Sequence, residues 1–196
     1  MTGSRYDADV VEDPYSYRGT ACLKNKLGLR DPETLQLFEL EMSTLRADEP
    51  LPAGRFGPAH YCRIHRHLFQ DVYRWAGRYR TIATSKGGNP FCRPQFIARE
   101  MKRLFSRLNS NDFFPESGRD TFIPAVAEFL ADLNAIHPFR EGNGRSQLAF
   151  LYLLALRAGH PLEIERINPA AFLAAMIRSF AGDIEPLSEQ LTALLA

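Results

Sequence analysis

Pro32, Pro58, Pro94, Pro169 and Pro186 each stand at the head of a stretch that reads as a helix. Proline has no N–H to donate and a φ already near the helical value, so it suits a first helical turn and disrupts a strand interior. A chain punctuated in this way is built of helices. After Pro32 come Leu35, Phe38, Met42 and Leu45 at helical spacing, with Asp31 as N-cap and Glu33 as an early acid. Gly57-Pro58 opens a second helix striped by Tyr61, Ile64, His65, Leu68 and Val72. Pro94 opens a third carrying Ile97, Met101, Leu104, Phe105 and Leu108, and Asp120 caps a fourth lined by Ile123, Val126, Leu130 and Leu133. Residues 144–158 are apolar nearly all round, which predicts a helix at the centre of a bundle, stopped by Gly159. Asn168-Pro169 caps a sixth with Phe172, Met176, Ile177 and Phe180, and 186–196 reads as a short seventh. The fold class is all-α, a single domain over 1–196.

One segment breaks the helical period. Tyr79 to Ala83 favours an extended strand, Lys86-Gly87-Gly88-Asn89-Pro90 is dense in turn residues, and Phe91 starts a return strand. A small β-hairpin over about 78–93 follows, and its exposed edge can pair with an extended segment of another chain. Three cysteines, Cys22, Cys62 and Cys92, are too few and too scattered for a disulfide framework or a zinc ribbon. His60, Cys62, His65 and His67 lack the carboxylate or fourth ligand that a tetrahedral site needs. The longest apolar run, 148–156, is too short to cross a bilayer, and the N-terminus lacks the apolar core of a signal peptide, so the expected compartment is the bacterial cytoplasm.

The net charge of +1 hides an asymmetry. Residues 55–107 hold 12 Lys/Arg against 2 Asp/Glu, whereas residues 1–54 hold 6 against 10. A basic middle third implies an anionic partner or a solvated helix face. A nucleic-acid-binding module is the reading from a different class. The acidic flanks and the absence of a DNA- or RNA-binding motif argue against it.

The chemistry lies in Ile136-His137-Pro138-Phe139-Arg140-Glu141-Gly142-Asn143-Gly144-Arg145, between two strong helices. Pro138 disfavours the α conformation at His137, so the fourth helix ends there and its imidazole stands at the mouth of a loop. Gly142, Asn143 and Gly144 tolerate tight or left-handed backbone, and amides of such a turn at a helix start form an anion site. Arg145 in the first helical turn opposes the macrodipole unless an anion sits there. Glu141 would repel a phosphate unless a hard cation such as Mg²⁺ bridges the two. A base, an anion cradle, a metal-directing acid and an arginine point to phosphoryl or nucleotidyl transfer.

The stretch 137–145 resembles the signature loop of the Fic domain, H-P-F-x-[D/E]-G-N-G-R-x-x-R. The likeness extends through Tyr17-Arg18-Gly19-Thr20, Leu23-Lys24-Asn25-Lys26-Leu27-Gly28, Trp75-Ala76-Gly77-Arg78-Tyr79-Arg80-Thr81 and Ser85-Lys86-Gly87-Gly88, so about 15–185 is covered. The resemblance implies an all-helical fold with a hairpin flap, and transfer of AMP from ATP to a Tyr, Ser or Thr hydroxyl of a target protein. By the same resemblance His137 is the general base, Glu141 holds Mg²⁺, and Gly142, Asn143, Gly144 and Arg145 bind the nucleotide phosphates. Phe139 anchors the loop in the core, and Ile82, Lys86 and Gly87 belong to the flap that aligns the target.

The match departs in one place. The second arginine of the motif, which would grip the γ-phosphate, is Leu148 here. A slow enzyme, an altered donor, a substitute such as Arg140, or a catalytically degenerate Fic protein are the consequences that remain open. No Ser or Thr is followed four residues later by Glu: Thr34 leads to Phe38, Ser43 to Ala47, Ser179 to Asp183 and Ser188 to Thr192. The inhibitory [S/T]-x-x-x-E-[G/N] helix of many relatives is thus lacking. The expectation is a toxin restrained by a small separate antitoxin that supplies a glutamate helix. Stand-alone toxins of the family imply a type II topoisomerase ATPase subunit as target, and secreted effectors imply a host GTPase.

Overall fold

A computed structural model describes residues 13–110 and 118–195, so the ends of the expected 1–196 domain and residues 111–117 lie outside the described residues. The helices are α1 (Pro32–Ala47), α2 (Pro58–Phe69), α3 (Pro94–Ser110), α4 (Arg119–Ile136), α5 (Asn143–Arg157), α6 (Pro169–Phe180) and α7 (Glu185–Ala193). A 3₁₀ turn at Ile164–Arg166 precedes α6. Two caps occur where the side chains predict them. The Asp31 carboxylate accepts from the Thr34 amide at 2.8 Å, and Asn168 Oδ1 accepts from both Ala170 and Ala171. The fourth helix begins one residue before Asp120, with Gly118 as N-cap.

Helix α2 packs between α1 and α5, α4 against α3, α5, α6 and α7, and α6 against α7. The centre is aromatic. Tyr61, Phe105, Phe129, Phe139 and Phe150 are buried and meet edge-on, tilted or stacked with centroids 5.4–6.0 Å apart. Helix α5 is less central than its composition predicts. Phe150, Leu151 and Leu154 are buried, but Tyr152 and Leu156 face outward because no described helix covers that side.

The hairpin is shorter than the sequence predicts. Its strands are β1 (Ser85–Lys86) and β2 (Asn89–Pro90), paired antiparallel across Gly87-Gly88. Residues 79–83 form no strand. The Arg80 amide donates to the Pro138 carbonyl at 2.9 Å, so the stem bonds to the loop after α4 instead of to its partner arm. Below the strands the Phe91 amide donates to the Thr84 carbonyl at 3.0 Å and closes the stem.

Candidate active site

His137 caps α4 in left-handed backbone geometry, φ 47° and ψ 62°, its amide donating to the Leu133 carbonyl at 3.0 Å. Its ring lies 3.9 Å from that of Phe91 and nearly parallel to it, and only 7% of the residue is exposed. Burial, then the positive charge of Arg80, push the imidazole down to about 3, so it is neutral at neutral pH.

The next residues fold back on themselves. Phe139 is fully buried, 3.7 Å from the His65 ring and stacked on Tyr61. The Asn143 amide group brackets the Phe139 backbone: Oδ1 accepts from its N–H at 3.0 Å and Nδ2 donates to its carbonyl at 2.9 Å. The Asn143 side chain thus closes the loop from inside, leaving its main-chain N–H at the helix start. Glu141 is buried and its Oε1 accepts from the Gly142 amide at 3.0 Å. Its carbonyl accepts from His65 Nε2 at 2.9 Å, while His65 Nδ1 accepts from the Gly77 amide at 2.8 Å, which fixes the tautomer.

The two loop glycines have different reasons to exist. Gly142 has φ +78°, and a Cβ there would lie 2.4 Å from the Phe69 ring. Gly144 has ordinary backbone, and a Cβ there would meet nothing within 4 Å. It opens α5 on the exposed side, beside the amides of Asn143, Gly144 and Arg145. The first intrahelical bond of α5 runs from Ser146 to Gly142 at 3.1 Å, so helix geometry leaves those three amides without an intrahelical acceptor. These are the amides at which an anion is expected from the sequence.

Arg145 lies 4.6 Å above the Phe69 ring, donates to Ser43 Oγ at 2.7 Å and pairs with the buried Glu39, which also accepts from the Tyr73 hydroxyl. A resident carboxylate therefore already offsets the macrodipole conflict at this position. Arg140, the sequence candidate for a substitute γ-phosphate contact, is 4% exposed and donates from Nε and Nη2 to Asp13 Oδ2 at 3.0 and 2.8 Å. That burial and pairing remove it as a phosphate ligand. Leu148 is half-buried in a groove of about 900 Å³ between α1 and α5, together with Arg145, Leu40, Leu51 and Tyr152. Of the flap residues, Lys86 and Gly87 are exposed at the tip, and the Ile82 carbonyl accepts from Arg80 Nη1 at 2.6 Å.

The basic middle third divides. Arg80 is buried, while Arg99 and Arg103 pair with Glu100, and Arg107 with Asp132, on the outer face of α3. His60 and His67 bind the carbonyls of Pro52 and Arg46. No cluster of three potential metal ligands occurs among the described residues.

Residues 55–155 match the family model described as Fic/DOC family. The chain belongs to the Fic/DOC family. It is 47% identical to a probable protein adenylyltransferase of Sinorhizobium fredii over 97% of this chain and 99% of that protein. The effector BepC of Bartonella tribocorum, crystallised with AMPPNP, superimposes with a TM-score of 0.84 at 28% identity, over 93% of this chain and 96% of that one. A Fic domain of Bartonella quintana with bound ADP gives 0.85 at 29% identity, over 93% and 94%. No described helix of this Fic chain is long and apolar enough to cross a membrane.

Proposed function

We infer that this Fic chain is a protein adenylyltransferase that moves AMP from ATP to a hydroxyl of another protein. The observation that carries the reading is Gly144. The fold asks for no glycine there, neither by φ nor by contact, and a residue without a Cβ at a helix start suits a ligand that approaches the backbone closely. A nucleotide polyphosphate has the charge that such a helix start attracts.

His137 is the base in this reading, taking the proton of a target Tyr, Ser or Thr as its oxygen attacks the α-phosphate and pyrophosphate leaves. An imidazole held near 3 is a weak base when alone. The negative charge of a neighbouring triphosphate favours the imidazolium and raises that value toward the working range. Glu141 is the residue to hold Mg²⁺. One buried carboxylate, with no cluster of protein ligands among the described residues, suits a small cation that takes most of its ligands from phosphates and water. The cation would neutralise phosphate charge. Arg145 adds charge from the side of α1, and Lys86 with Ile82 guides the target segment.

Control by a separate antitoxin completes the reading. A helix lying in the groove beside Arg145 and Leu148 would reach the nucleotide end of the loop, and at Leu148 it would find an apolar contact in place of an ion-pair partner. Incubation with α-labelled ATP, Mg²⁺ and a bacterial lysate is expected to label a protein band, and His137→Ala is expected to abolish it. Absence of labelling together with absence of AMPPNP binding by calorimetry overturns the reading.

A further inference from the structure

We propose that Arg80 is a positioning residue that locks the flap stem and the His137 backbone into one unit, so that the target segment and the base keep a fixed distance. The inference rests on the reading of His137 as the base.

Arg80 is 2% exposed, and the hydrogen bonds of its guanidinium all end on main-chain carbonyls of three separate segments. Nε donates to His137 at 2.8 Å and Nη2 to Ile136 at 3.2 Å, both at the end of α4. Nη1 donates to Ile82 in the first arm of the flap at 2.6 Å, and Nη2 to Cys92 in the second arm at 2.5 Å. The second arm is also tied to α4 through the Cys92 amide and the Ala135 carbonyl at 3.1 Å, and it carries Phe91, which covers the imidazole.

The physics of a helix end explains the choice of residue. The last carbonyls of α4 lack intrahelical donors and carry the negative end of its dipole, so a cation with several donors satisfies both. A left-handed φ at a residue other than glycine is costly and persists only where neighbours over-determine it. The Arg80 fork supplies that constraint at His137 and grips both arms of the hairpin from the same plane. Lysine, a single ammonium on a flexible stem, cannot span four carbonyls in this fixed geometry. Because each of these contacts is a carbonyl within the fold, Arg80 acts through His137 and the flap and not on substrate.

The test uses Arg80→Lys and Arg80→Met in the full chain, with His137→Ala in parallel. Both Arg80 variants are expected to bind AMPPNP within about twofold of wild type while the transfer rate falls about tenfold to a hundredfold, as loss of orientation predicts. Trypsin cleavage after Lys86 at the flap tip is expected to accelerate. A wild-type rate in Arg80→Lys, or a loss of rate matched by an equal loss of AMPPNP affinity, overturns the proposal. Hydrogen exchange on the unaltered protein gives a measurement that no folding defect can obscure. The amides of Phe91, Cys92 and His137 should open with a common free energy, and clearly separate values refute the single unit. Labelling that survives His137→Ala defeats the base reading itself. Loss of labelling there with full activity in Arg80→Lys defeats only the role given to Arg80.

Discussion

Replacing each loop glycine by alanine, one at a time, separates what the fold needs from what the ligand needs. In Gly142→Ala the new methyl carbon arrives 2.4 Å from the Phe69 ring on a backbone with φ +78°. The left-handed conformation contributes about 1–2 kcal/mol of strain, and forcing a methyl into a packed contact about 1–3 kcal/mol more. Phe69 has no easy retreat, since it is fully buried, 4.8 Å from His65, and lies beneath the Arg145 guanidinium. A total near 2–5 kcal/mol lowers Tm by roughly 5–20 °C in a chain of this size. Gly144→Ala meets nothing within 4 Å and removes a flexible residue from a helix, so its Tm should hold or rise slightly. Its AMPPNP affinity should fall, because the methyl occupies the approach to the 143–145 amides. Calorimetric melting and AMPPNP titration on the two variants decide the matter. If Gly144→Ala binds AMPPNP as wild type does, the anion cradle is elsewhere; if Gly142→Ala melts normally, the packing argument is wrong.

Leu148→Arg returns a guanidinium to the groove one helical turn beyond Arg145, where the open volume accepts it without overpacking. A charged hydrogen bond to the γ-phosphate is worth about 1.5–3 kcal/mol, so transfer of label should rise about tenfold to a hundredfold, and an unchanged rate means that the γ-phosphate already has its partner. Acid should unfold this chain earlier than its carboxylates alone predict. His65 and His137 sit near 3 in the fold against 6.5 when free, both chiefly through burial, so the unfolded chain binds more protons between those values and stability falls as pH drops through the window. Between pH 6.5 and 5, where carboxylates stay ionised, the two histidines together remove about 3 kcal/mol. A urea midpoint that is flat over that range would contradict this.

Helix starts were legible in the sequence because prolines and caps act locally. Pro58, Asn168 and the Pro138 signal that ends α4 work through their own dihedrals or the next turn. The signature loop was legible for the same reason, as a run of consecutive residues. What escaped was every partner that reaches the loop from a distance. Glu39 holds Arg145 from α1, and His65 holds the Glu141 carbonyl from α2. Phe91 covers His137 from the second arm of the flap, and Asp13 holds Arg140 across 127 positions of chain. A faint signal existed for two of these. Glu39 continues a row from Leu35 to Ser43 on α1, and His65 interrupts an apolar stripe. Each is an ionisable group where the pattern calls for the core. Arg80 had no such mark among the other basic residues of its segment. The outward face of α5 was misjudged because composition alone does not reveal which neighbours a helix will have.

The pairing of Asp13 with Arg140 has a bearing on biosynthesis. During translation the acid leaves the ribosome 127 residues before its basic counterpart, and Arg80 likewise waits 57 for the carbonyl it clasps at His137. A growing polypeptide can condense its early helices against one another and still own no finished nucleotide turn. A chain cut short anywhere upstream of α5 thus lacks the turn and Arg145 together, so the nucleotide end of the loop takes shape only once α5 has been made.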